Sequence, residues 1–171
     1  RLVRDWSSDV CSSDLILFEE AMAAFDTNAM AAQTLLFPEV IEFPPDDFST
    51  LLDVLPYLEK MGFRMKKFGE NTVTIEAIPS EMSWGNEKNI IREILDDYLE
   101  TQKKYASFQE ALAASFSCKA AVKAGDVLTV EEMRELVNRL FGTKHPYYCP
   151  HGRPIIVQLS MDELDRRFER I

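Results

Sequence analysis

Apolar side chains recur along this chain at two different periods, and the switching between them lays out a succession of helices and strands. Leu15, Phe18, Met22 and Phe25 repeat at steps of three and four, which predicts a helix ended by residues 26–28. Residues 33–43 read as a strand, in which Pro38 cannot donate to a ladder and so marks an edge or a bulge. Pro44-Pro45-Asp46-Asp47 opens a helix with Leu51, Leu52, Leu55 and Leu58 on one side, and Pro56 is expected to kink it. Residues 63–68 and 72–78 flank Gly69-Glu70-Asn71, and Val73, Ile75 and Ala77 alternate with polar neighbours. That pattern is a hairpin.

Two helices are expected next, at about 87–104 and 107–124, with Gly125 as the stop. Thr129-Val-Glu-Glu132 spells a capping box for a third, which ends before Gly142. A loop rich in Pro, His and Tyr covers 143–154. A short apolar strand at 154–159 leads into a last helix capped by Ser160-Met-Asp-Glu163. The fold class is therefore mixed α/β (α+β). About 44–105, built around the stretch 44–78, has the character of a lobe inserted between two halves of another. The first 14 residues follow neither period and carry Ser-Ser-Asp twice. They resemble the conceptual translation of a sequencing adapter, so 1–14 is read as a non-native leader and 15–171 as the domain proper.

Charge narrows the possible partners. Nineteen Lys and Arg against 29 Asp and Glu give a net −10 over 171 residues, which excludes a grip on DNA by bulk neutralisation of phosphates. Hydrophobics at 46% and charged residues at 28% exclude a disordered tail, and no apolar run approaches the length of a membrane span. Cys11, Cys118 and Cys149 are odd in number and widely spaced, which fits a reducing cytoplasm better than a disulfide framework. Residues 1–15 lack the apolar centre of a secretory signal.

The richest local chemistry lies in Tyr147-Tyr-Cys-Pro-His-Gly-Arg-Pro154. Cys149 and His151 stand two apart in a loop stiffened by two prolines, and thiolate and imidazole at that spacing can share one zinc. A tetrahedral ion needs further donors, and the same residues also suit a plain turn with a buried cysteine. Cys118, on a helix among Ala and Phe, reads as a small core residue, and Lys119 and Lys123 as a solvated stripe. Gln33-Thr-Leu-Leu-Phe-Pro38 suits either an edge strand of its own sheet or a linear ligand that fills a groove with Leu36 and Pro38.

In order along the chain, Ser-Cys-Lys-Ala-Ala-Val-Lys-Ala (117–124), Cys-Pro-His-Gly-Arg-Pro (149–154) and Phe168-Glu-Arg170 resemble the C-terminal domain of the MutL family of DNA mismatch-repair proteins, in its nicking-competent branch. The resemblance covers about 15–171. It implies a two-lobed dimerisation module with an inserted regulatory lobe. It also implies metal-dependent hydrolysis of a DNA phosphodiester with bound zinc or manganese, and it makes Cys118, Cys149 and His151 metal ligands. Gln33, Leu36 and Pro38 match the family's motif for the replication sliding clamp, through which DNA would be reached. The remaining implied partners are a second copy of the chain and, through the full-length protein, the mismatch-recognition protein MutS. No ATP site and no membrane contact are implied, and the expected location is cytoplasmic, with the nucleoid.

Nicking members open the first helix with Asp-Gln-His-Ala-x-x-Glu-x-x-x-x-Glu. Here Glu19 takes the last position and Asp14 the first Glu, leaving these two as the catalytic candidates. Val10 and Ser8 stand where the His and the leading Asp belong. Weak metal binding and poor nicking are therefore expected. The alternative is a non-catalytic dimerisation and clamp-docking module, and a weaker one is an unrelated zinc-stabilised domain.

Overall fold

Pro38 interrupts the longest strand, β1 (Ala32–Glu42), and the pairing around it shows how a residue without an N–H is tolerated. In the computed structural model, which describes residues 7–82, 85, 87–101, 104–123 and 125–170, β1 pairs antiparallel with β3 (Thr72–Pro79). The register shifts between Thr34 and Glu39, so the proline falls within the irregularity. β2 (Arg64–Lys67) pairs antiparallel with the other side of β3, giving the order β1-β3-β2. Pro38 therefore lies on an edge strand, where a missing donor costs least. The hairpin expected at 63–78 is present. Central β3 buries Val73, Ile75 and Ala77 completely.

α1 (Ser7–Asp26) precedes the sheet, and α2 (Pro45–Lys60) follows β1. Asp46 and Asp47 in the first turn of α2 and Lys60 in its last complement the helix dipole. Its buried face is Phe48, Leu51, Val54 and Leu58. The expected stripe is corrected here. Leu52 points away from the core because it sits about 100° around the helix from Leu51; Val54 joins the buried face, and Leu55 packs against the same cluster while partly buried.

α3 (Glu87–Thr101) and α4 (Phe108–Ala120) come next, and α4 packs against both α1 and α3. Ser107 caps α4 by accepting the Glu110 N–H. α4 ends at Ala120, short of the expected 124. Two of the following amides bond outside a helix: Val122 N–H donates to Ser13 Oγ and Lys123 N–H to Asp126 Oδ2. α5 (Val130–Gly142) carries the predicted capping box, Thr129 with Glu132, and α6 (Met161–Arg167) starts from Ser160 as expected.

One continuous apolar cluster runs from Leu17 and Ala21 on α1, through the sheet and α2, to Leu112, Phe116 and Ala121. Phe63 meets Phe116 edge-on at 6.1 Å between ring centroids. Tyr57 sits between Phe25 at 5.6 Å and Phe108 at 4.9 Å. Because β1 pairs with β3, the sheet joins residues on both sides of position 44. A smaller cluster of Leu15, Ile16 and Leu140, with Leu136, Ile155 and Ile156 against it, holds α5 and the late loop to α1.

Two further expectations differ from the structure. Residues 154–159 form no strand. Only Pro154 bridges, to Tyr148, because the segment has no neighbouring strand and Ile155 N–H turns back to Tyr147 O at 2.8 Å. At the other end, α1 begins at Ser7, well inside the segment that showed no helical period. Its buried positions there include Ser12, Ser13 and Asp14, which are polar and therefore invisible to a search for apolar repeats.

Candidate metal centre

Two acidic neighbours on α1 fix the far end of α5, and with it the loop that follows. Glu20 grips Arg139 with both oxygens, at 2.7 and 2.9 Å, and Glu81 adds a third contact at 3.2 Å. Glu19 accepts the Lys144 N–H at 3.1 and 3.0 Å. The chain then runs out and folds back at Cys149-Pro-His-Gly-Arg153. Gly152 N–H donates to Cys149 O at 2.8 Å and Cys149 N–H to Arg153 O at 2.9 Å. Gly152 turns with φ +79, a left-handed backbone that glycine adopts without penalty.

This turn places Cys149 and His151 over the first half of α1. His151 Nδ1 lies 3.0 Å from Asp14 Oδ2, and one donor atom each from Asp14, Cys149 and His151 lies within 4.8 Å of the others. Asp14 and Cys149 are buried, while His151 is about one-third exposed, with 37% of its side chain open to solvent. The other Asp14 oxygen, Oδ1, accepts the Ser117 hydroxyl at 2.6 Å. The hydrogen bond to Asp14 raises the His151 pKa, against burial, which lowers it.

A carboxylate, a thiol and an imidazole so grouped can each donate to one metal ion.

The remaining expected site residues are placed as follows. Cys118 stands outside the group but near it. Burial raises its thiol pKa and the Asp14 charge adds to that, with Lys123 and Lys119 opposing. Cys11 also has a raised pKa, from burial first and then from neighbouring Cys149. Glu19 lies outside the group, five residues from Asp14 and so about 140° around the helix, with its carboxylate on Lys144. The two lysines are not a free stripe. Lys119 pairs with Asp97 at 2.9 Å and Glu93 at 3.4 Å, and Lys123 Nζ donates to Cys118 O at 2.7 Å.

Gln33, Leu36 and Pro38 lie on edge strand β1, with Leu36 82% and neighbouring Phe37 77% exposed. Gln33 Nε2 donates inward to Met82 O at 2.7 Å and to Pro79 O at 3.3 Å. Phe168 is exposed, with the Arg170 guanidinium 5.8 Å from its ring centre. Sequence reasoning passed over Ser117. The available signal was a serine at the centre of an Ala-rich apolar helix, which needs a buried partner. Among the described residues, no helix is long and apolar enough to cross a membrane.

Comparison with known proteins adds a family. The MutL C terminal dimerisation domain matches residues 12–128. The chain is 40% identical over 156 residues to the DNA mismatch repair protein MutL of Chlorobium phaeobacteroides (strain BS1), covering 91% of this chain and 25% of that protein. It is 38% identical to the MutL of Pelodictyon phaeoclathratiforme (strain DSM 5477 / BU-1) and 39% to that of Chlorobaculum tepidum, with the same 91% and 25% coverage. The chain thus spans about a quarter of the length of the curated relatives it matches.

Proposed function

The chain belongs to the family of MutL C-terminal dimerisation domains, and from that premise we propose that it serves DNA mismatch repair as a homodimerising module that keeps a depleted metal centre. The convergence of Asp14, Cys149 and His151 from opposite ends of the chain carries this reading. Asp14, Cys149 and His151 would hold the ion, with Cys118 as the nearby candidate for a fourth donor. A bound zinc or manganese supplies a Lewis acid for a DNA phosphodiester and lowers the pKa of attacking water.

The chain's own residues do less than a full nicking site requires. Asp14 offers a carboxylate one methylene shorter than the family's Glu. Val10 and Ser8 have no imidazole or carboxylate to give at the His and Asp positions. Glu19 is engaged with the Lys144 amide rather than the donor group. Weak metal binding and little nicking follow. Zinc bound by the purified chain and lost in Cys149→Ala, with supercoiled plasmid left intact in manganese, is the expected result. Metal-dependent nicking that disappears in Cys149→Ala would overturn the inactive assignment. Absence of any zinc uptake would overturn the metal centre.

The exposed ridge of Leu36 and Phe37 supports sliding-clamp docking as a second activity of the same module. Gln33 would have to exchange its two carbonyl partners for clamp contacts, while Leu36 and Pro38 are already presented. DNA and MutS would then be met through the clamp and the rest of a full-length protein.

A further inference from the structure

Ser117 is completely buried on α4, and its hydroxyl has two acceptors within reach: Asp14 Oδ1 at 2.6 Å and Ala114 O at 3.1 Å. One hydroxyl proton serves one acceptor at a time. Helical serines ordinarily donate back to the preceding turn, as Ser115 does to Ala111 O at 3.0 Å. For Ser117 the carboxylate is both closer and charged, which makes it the stronger partner. Asp14 Oδ1 is therefore tied to α4, while Oδ2 faces His151 at 3.0 Å. An aspartate carboxylate turns easily about its last torsion, which has broad wells. The Ser117 bond removes that freedom.

We propose that Ser117 is a positioning residue for the metal centre, anchoring one oxygen of Asp14 so that the other is presented to the ion beside Cys149 and His151. This rests on the metal reading above. It adds a residue that donates nothing to the ion itself and acts only through Asp14. Outer partners of this kind typically contribute tenfold to a hundredfold in metal affinity. Ser115, two residues away with its ordinary back-bond, is the internal control.

The test is zinc affinity, measured with zinc ion alone by competition against a chromophoric chelator, with circular dichroism confirming the fold. Ser117→Ala should weaken zinc binding by about 10- to 100-fold. Ser115→Ala should leave it within about twofold of the unchanged chain, as should Ser117→Ala when added to Asp14→Ala, which removes the acceptor, and compared with Asp14→Ala alone. Ser117→Ala binding zinc like the unchanged chain, or losing affinity equally in the Asp14→Ala background, overturns the positioning role while leaving the metal centre intact. If the unchanged chain binds no zinc, the metal reading fails, and the role of Ser117 fails with it.

Discussion

At Gly62 the backbone turns with φ +95, and a Cβ there would stand 3.1 Å from Ala31 O and 3.3 Å from Pro79 Cα. Both neighbours are backbone and cannot swing aside. Gly62→Ala should therefore cost at least the left-handed penalty, about 1–2 kcal/mol, read as a lower urea midpoint with an unchanged slope. Leu112 and Phe116 are buried without trace of solvent, and Leu112→Ala should cost about 2–5 kcal/mol in the same measurement. At this scale the sequence was legible where side chains are apolar or chemically distinctive. Val73, Ile75 and Ala77 announced a buried face, and Cys149 and His151 announced a donor pair. Asp14 was reached through the family motif, but its buried bond to Ser117 could be found only from the pair. A buried polar residue is made stable by its partner, and that partner lies 103 positions away.

The helices of this chain are set largely by their ends. In α5, the Glu132 carboxylate accepts the Thr129 N–H at 2.7 Å and its hydroxyl at 2.9 Å, which holds the carboxyl pKa below the usual glutamate range. A lowered folded pKa means that the box stabilises the fold above the ordinary glutamate pKa. That contribution fades as acid carries the pH down through the lowered value. An NMR titration of the Glu132 carboxyl should thus show a depressed midpoint, and Thr129→Ala, keeping the larger N–H contribution, should recover only part of the shift; a midpoint at the ordinary glutamate value in the unchanged chain would remove the box as its cause. In α4, Ser107→Ala should cost about 1 kcal/mol through the lost Glu110 N–H bond. The starts of α4, α5 and α6 were readable because Ser and Thr caps are local chemistry. The end of α4 was not, since Val122 and Lys123 leave the helix for a serine on α1 and an aspartate three residues on, whereas Gly125 looked like the stop. The strand expected at 154–159 failed for a related reason: a short apolar run marks a segment fit to be buried, and a strand also needs a neighbour to pair with.

For the molecule as a whole, the edge of the sheet and the exposed apolar ridge on it matter most. Leu36→Ala removes a side chain that supports nothing inside, so unfolding free energy should stay within about 0.5 kcal/mol of the unchanged chain. If the ridge serves the clamp, Gln33→Ala with Leu36→Ala should abolish clamp binding in a pull-down, with circular dichroism confirming that the chain stays folded without the two Gln33 bonds. Retained binding would exclude β1 as the docking strand. A single species of monomer mass at micromolar concentration would likewise exclude homodimerisation. The three strands and their order among the first helices could be read in advance, and the hairpin with them; the pairing of β1 with β3 could not. The single cluster that crosses position 44 could not, because a one-dimensional pattern says which residues are buried but not which of them share a core.

The donor group closes over 137 positions, from Asp14 to His151, and this separation sets a schedule. On a ribosome adding about 5–20 residues per second, Asp14 waits on the order of ten seconds before its partners are even synthesised. Ser117 emerges first and can take one oxygen of Asp14, but the other oxygen waits for His151. If the three donors hold an ion, a nascent chain halted before residue 149 should be blind to zinc.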